Sequence, residues 1–149
     1  MPRIRVWHAT AADFDTFAPF SHFGSRAQAE MRCPPGGHLL EVELLVADPK
    51  TMKDTGGWDE RQLKRLQKQG WDGVRYLNRY EGIPQSAFER ARAKYANIDR
   101  LSDANFQKAL PEASESWIVF DPRNAKIIAK HEPAEGEGSA SLSAELCNA

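Results

Sequence analysis

Hydrophobic and polar residues alternate from the start of the chain. Ile4, Val6 and His8 fall on one side of an extended segment and Arg3, Arg5 and Trp7 on the other, a period of two that predicts a strand ending near Thr10. Between Asp13 and Phe23 the residues Phe14, Phe17, Phe20 and Phe23 stand among small and polar neighbours without either regular period, which predicts a structured loop. Ser25, with Gln28 three residues on, has the form of a capping box and predicts a helix of about two turns. Pro34-Pro35-Gly36-Gly37 stops it. From His38 to Ala47 the run of Leu39, Leu40, Val42, Leu44, Leu45 and Val46 reads as a buried strand, closed by Asp48-Pro49. The next helix has marked ends. Asp59 is its N-cap, Gln62 the box partner, Trp58 a staple against Leu63, and Gly70 the left-handed C-terminal cap over which Trp71 closes. A short strand, Gly73 to Leu77, runs into Asn78-Arg79-Tyr80-Glu81-Gly82.

Between Pro84 and Glu112, Phe88, Ala91, Tyr95, Ile98, Leu101 and Phe106 recur at roughly helical spacing behind a Ser86…Glu89 box, which predicts one or two helices inserted before the last strands. Those strands are Ser116 to Phe120 and Ala125 to Lys130, split by an Asp121-Pro122 turn. From Pro133 onward Glu, Gly, Ser and Ala leave almost nothing to bury, so residues 132–149 are expected to be a disordered tail behind one domain, residues 1–131. A chain of 149 residues, 41% hydrophobic and 28% charged, suits that single domain.

Charge changes the picture little. The formal net charge is -1 with both signs interspersed, so no electrostatic footprint points to duplex nucleic acid or a membrane. Lys64, Arg65 and Lys68, like Arg90, Arg92 and Lys94, read as solvated faces. Cys33 and Cys147 are the only cysteines and the second lies in the tail, which argues for a reducing compartment without a disulfide framework. No run reaches the roughly 18 apolar residues of a membrane span, and Met1 to Thr10 lacks the apolar run of a signal peptide. A cytosolic location is expected. His8, His22, His38, His131 and Cys33 show no recognised ligand spacing, so no metal site is predicted.

Four segments carry candidate chemistry: Val6-Trp7-His8-Ala9-Thr10, Ser21-His22-Phe23-Gly24-Ser25, Gln69-Gly70-Trp71-Asp72-Gly73-Val74-Arg75-Tyr76-Leu77-Asn78, and Ser116-Trp117-Ile118-Val119-Phe120-Asp121-Pro122. In that order and spacing they resemble ADP-ribosyltransferases of the diphtheria-toxin-like branch, and in particular the small ADP-ribosyltransferase-like domains of phage and bacterial polyvalent proteins. The likeness spans most of residues 4–128, with the 84–112 insert and the tail outside it. The resemblance implies an α+β fold, a split core of two small, roughly perpendicular antiparallel sheets with helices outside and NAD in the cleft between them.

It also implies roles. His8 would hydrogen-bond the ribose next to adenine, the backbone of Ala9 the nicotinamide carboxamide, and Thr10 a nearby ribose or the chain itself. His22, where the family commonly has an aromatic lid, would stack on nicotinamide, with Phe23 as the alternative. The family's acidic residue falls at Ser116, with Glu115 one position earlier. Adjacent strand residues face opposite sides, so either a bulge re-aims Glu115, or the Ser116 hydroxyl takes a weakened version of the role, or the domain has lost transferase activity. Glu112 and Asp121 are further carboxylates nearby, and Asp121 suits a turn cap beside Pro122. Ala9 replaces the usual glycine and requires a negative φ. Trp58, Trp71 and Trp117 read as core and staple residues, Asp72 as turn chemistry, and His8 and His22 each also suit simple packing.

The activity this resemblance implies is transfer of ADP-ribose from NAD, as substrate, to a macromolecule, expected to be a protein, as a phage or bacterial effector. Two alternatives stand beside it: an NAD glycohydrolase with water as acceptor, and a catalytically silent nucleotide- or protein-binding module on the same fold.

Overall fold

A computed structural model describes residues 3–133. The elements run β1 (Arg3–Thr10), β2 (Ser21–Phe23), α1 (Arg26–Arg32), β3 (His38–Leu45), β4 (Pro49–Lys53), α2 (Glu60–Lys68), β5 (Gly73–Leu77), α3 (Gln85–Lys94), α4 (Asp103–Ala109), β6 (Glu115–Val119) and β7 (Ala125–His131). Single 3-10 turns occupy Ile98–Arg100 and Pro122–Asn124. The expected tail from Pro133 falls, save that residue and Glu132, outside the described residues, as does Cys147.

The strands form two sheets in an α+β arrangement. One has the order β1-β3-β7 and is antiparallel throughout; the other has the order β2-β6-β5-β4. In the second sheet β4 runs parallel to β5, which corrects the expectation of two purely antiparallel sheets. A parallel pair needs a crossover, and α2 supplies it between β4 and β5. Lys50, Thr51, Met52 and Lys53 carry no hydrophobic run, so this strand exists by pairing with β5 rather than by its own pattern.

The sheets join at one corner. Trp7 in β1 and Gly24 after β2 exchange two backbone hydrogen bonds of 2.8 and 3.0 Å. Beneath the join, Val6, Phe17, Phe23, Leu40, Val42, Leu44, Val46 and Val119 make one buried cluster. The stretch expected as a loop therefore places Phe17 and Phe23 in the core and contains β2. α2 lays Leu63 and Leu66 on Val74, Tyr76, Ile118 and Phe120 of the second sheet, while Ala29 and Cys33 at α1 pack with Leu39. The 84–112 insert has a core of its own, in which Ala87, Ala91, Ile98, Phe106 and Leu110 gather beside Leu77.

Capping follows the sequence in α1, where Ser25 Oγ accepts from Gln28 N and Gln28 Oε1 accepts from Ser25 N. In α2 the Asp59 carboxylate accepts from Arg61 N and Gln62 makes no reciprocal bond. Gly70 has φ +101, and the Trp71 N–H closes back to the Leu66 carbonyl at 3.2 Å, the geometry of a left-handed helix end. The insert starts earlier than expected: α3 begins at Gln85 behind Pro84, with no side-chain cap, so Ser86 and Glu89 lie inside the helix. Asp72 does more than turn. Its carboxylate accepts from the backbone N–H groups of Ala47 and Asp48 at 2.7 and 3.1 Å, pinning the β3–β4 connection to the start of β5.

Candidate functional site

A cavity of about 370 Å³ opens beside the second sheet, with His22 of β2 and Tyr76 of β5 in its wall and Arg32 from the end of α1. The segments following β4 and β5 complete it with Asp54, Gly56 and Trp58 on one side and Asn78, Tyr80 and Glu81 on the other. Polar and aromatic groups thus converge from five parts of the chain. Among the described residues no helix is long and apolar enough to cross a membrane.

The His22 ring lies with Nδ1 3.4 Å from the Tyr76 hydroxyl. Burial, together with the nearby Arg32 and His8, lowers the His22 pKa from 6.5 to about 4, so the imidazole is neutral at physiological pH. Burial likewise, with Asp54 adding to it, raises Tyr76 to about 12. Both groups therefore face the cavity uncharged. Phe23, the neighbour of His22, is 2% exposed and packs edge-on against Phe17 at 4.8 Å; it belongs to the core and not to the cavity wall. Trp58 packs against the cluster that holds Leu63, as a staple does, but its ring also lines the cavity 4.8 Å from that of Tyr76.

His8 stands behind this wall. Its Nδ1–H donates to the His22 carbonyl at 2.7 Å, which selects the tautomer that leaves Nε2 as an acceptor. Phe14, Phe17 and Phe23 surround the ring at centroid distances of 5.1 to 6.4 Å, and burial lowers its pKa. Thr10 Oγ1 accepts from Ala12 N at 3.0 Å, closing the chain rather than facing the cavity. Ala9 packs against the Ala29, Cys33 and Leu39 cluster, and Phe20 is the described non-glycine residue with positive φ, so Ala9 meets the backbone condition its side chain requires.

The two acidic-position alternatives separate cleanly. β5 and β6 pair without a register shift from Gly73↔Val119 to Leu77↔Glu115, so no bulge re-aims Glu115. It is exposed, lies 3.6 Å from Arg75 Nε, and lines a different depression with Arg5, Ser25 and Trp117. Ser116 is 3% exposed. Its hydroxyl donates to Gln28 Oε1 at 2.7 Å and accepts from Asn78 Nδ2 at 3.1 Å. Glu112 pairs with Arg90 in the insert and Asp121 caps its own turn through Arg123 N; neither lines the cavity.

Sequence reasoning singled out His22 and carried Tyr76 and Asn78 within the third segment without a role, but passed over Arg32, Asp54, Tyr80 and Glu81. A signal was present, because a polar Asn-x-x-Glu cluster directly after a strand is where a scaffold presents side chains on a loop. Asn78 is 3% exposed and uses its whole amide. Oδ1 accepts from Tyr80 N and Glu81 N at 3.0 and 2.9 Å, and Nδ2 donates to Glu81 Oε1 and Ser116 Oγ at 3.0 and 3.1 Å. The Asp54 carboxylate is occupied by backbone, accepting from Gly56 N and Arg79 N.

Comparison of the chain with family models, with curated proteins and with solved structures gives no match.

Proposed function

We propose that the cavity beside His22 is a nicotinamide-ribose site and that the domain transfers ADP-ribose from NAD to a macromolecule. The observation that carries this reading is convergence. His22 from the second motif and Tyr76 and Asn78 from the third line one cavity, the His8 imidazole of the first motif bonds the His22 carbonyl, and Ser116 of the fourth bonds Asn78. The finer assignment of an ADP-ribosyltransferase-like split core belongs to the same proposal.

The chemistry suits the electrostatics. Breaking the N-glycosidic bond leaves its electron pair on the nicotinamide nitrogen, which turns a pyridinium cation into a neutral leaving group, while positive charge develops on the ribose. A neutral imidazole can lie over the pyridinium without repulsion, whereas an imidazolium would oppose it. The His22 pKa of about 4 meets that condition. His8 lies behind the cavity wall and supports this arrangement through its bond to the His22 carbonyl. The volume of about 370 Å³ is that of a small-molecule cleft, sized for part of a dinucleotide.

A second reading, a silent binding module, is favoured by one feature: Glu115 faces away from the cavity and the hydroxyl of Ser116 is engaged on both sides. Incubation with NAD labelled in the adenylate half, alone and with bacterial lysate, distinguishes them. A transferase labels a macromolecule and loses the label in His8→Ala. A glycohydrolase gives free ADP-ribose without labelled target. A folded protein that binds NAD yet releases no nicotinamide is a binding module.

A further inference from the structure

We propose that Glu81 is the catalytic carboxylate of this site, supplying from the β5 side the charge that Ser116 lacks on β6. The inference rests on the reading of the cavity as an NAD site. Three carboxylates stand close to the strands that form it, and geometry leaves one. Glu115 lies outside the cavity. Asp54 lines it, but both oxygens are held by loop backbone: Oδ1 by Gly56 N at 3.0 Å and Oδ2 by Arg79 N at 3.1 Å, and the residue is 5% exposed. Glu81 lines the cavity with its side chain 33% exposed, and its oxygens touch side chains alone, Asn78 Nδ2 at 3.0 Å and Arg32 Nε at 3.2 Å. Each oxygen of either carboxylate has one such partner and can take a second hydrogen bond; what separates the two is access, since Asp54 is buried and Glu81 is not.

The position is also connected to the strand where the resemblance places an acidic residue. Ser116 Oγ, Asn78 Nδ2 and Glu81 Oε1 form an unbroken chain with links of 3.1 and 3.0 Å. One amide therefore spans the gap between the β6 position and the carboxylate. The backbone of Glu81 is fixed by the same side chain through Asn78 Oδ1, so a single buried residue sets both ends of the glutamate. Such preorganisation matters because a charge aimed at a developing cation stabilises it without reorganising at the moment of reaction.

In the proposed step the bond from ribose C1′ to the nicotinamide nitrogen breaks and its electron pair leaves with nicotinamide. Glu81 accepts the ribose 2′-hydroxyl proton as a hydrogen bond and faces the oxocarbenium charge. The acceptor's nucleophilic atom bonds to C1′ and its proton passes to water.

The test uses the purified full chain with NAD as the probe, measuring the NAD dissociation constant by calorimetry and nicotinamide release by chromatography, with and without bacterial lysate. Variants are Glu81→Gln, Glu81→Asp and, as a control on α2, Glu60→Gln. Expected are an active wild type and control, and a Glu81→Gln protein that binds NAD within about threefold of wild type while releasing nicotinamide at least about 100-fold more slowly. Glu81→Asp, which keeps the charge but shortens the reach, should lose about tenfold; should the Gln variant fail to fold, this one decides. A folded variant of either kind that keeps the wild-type rate overturns the role of Glu81 and leaves the NAD reading standing. Wild type that binds NAD without releasing nicotinamide overturns the catalytic role and leaves a nucleotide-binding cleft. Wild type that does not bind NAD overturns the reading of the cavity itself.

Discussion

Asn78 has no hydrogen-bonding capacity to spare, since its amide bonds Tyr80 N, Glu81 N, the Glu81 carboxylate and the Ser116 hydroxyl. Replacing it by alanine removes those partners and leaves buried donors and acceptors behind, so Asn78→Ala is expected to cost about 2–3 kcal/mol of stability, read from urea unfolding. Gly24 is as constrained. A Cβ there would sit 1.8 Å from Gln28 Oε1 and 3.0 Å from Ser116 Oγ, which forces Gln28 off the Ser116 hydroxyl and the Ser114 carbonyl it bonds at 2.7 and 3.1 Å. Gly24→Ala should therefore lose about 2 kcal/mol or more in the same measurement. Only part of this was readable beforehand. Gln28 carried the capping-box signature from Ser25, but its reach to residues 114 and 116 joins positions more than 80 apart in the chain, and local pattern holds no information about that partner. His22 was legible through its motif. Glu81 was only half legible: its polar cluster after a strand marked a loop that can carry function, but a glutamate there looks the same whether it faces a cleft or water.

Helix α2 shows how far local rules reach. Asp59 at its start and Gly70 at its end were both identifiable because capping is chemistry between neighbours in sequence. Asp59→Ala should cost about 1 kcal/mol, and Gly70→Ala, at φ +101 with no atom near the added Cβ, about 1 kcal/mol from backbone strain alone. Thermal melting checks both, and an unchanged melting point for Gly70→Ala would contradict the left-handed cap. At α3 the same rules failed. Ser86 and Glu89 have the spacing of a capping box, yet Pro84 precedes them with the φ of -65 its ring imposes and the helix is already under way. β4 failed for another reason. Its inward signal is slight, and its place as an edge strand comes from the register it shares with β5, Pro49↔Gly73 through Lys53↔Leu77.

For the molecule as a whole, acid is the expected weakness. The folded-state pKa of His22, about 4, lies below the 6.5 of an unconstrained histidine, and that of His8 is lowered as well. Between those values the unfolded chain binds more protons than the folded one, so the stability these residues contribute is present above pH 6.5 and is lost as pH falls towards 4. His22 alone should account for about 2 kcal/mol of that loss. Urea midpoints measured from pH 7.5 down to 4.5 test this: the midpoint should fall with pH in wild type and fall less in His22→Gln. Most strand positions and two of the four described helix starts were set by alternation and capping, which act over a few residues and so are written in local order; the α+β class and the two histidines came through the motifs. The cavity was not. It depends on β1 and the end of β2 meeting through Trp7 and Gly24, on the parallel pairing of β4, and on Asn78 bridging Ser116 and Glu81. Those contacts join residues distant along the chain, and they decide which of several equally plausible carboxylates lines the cavity beside the second sheet.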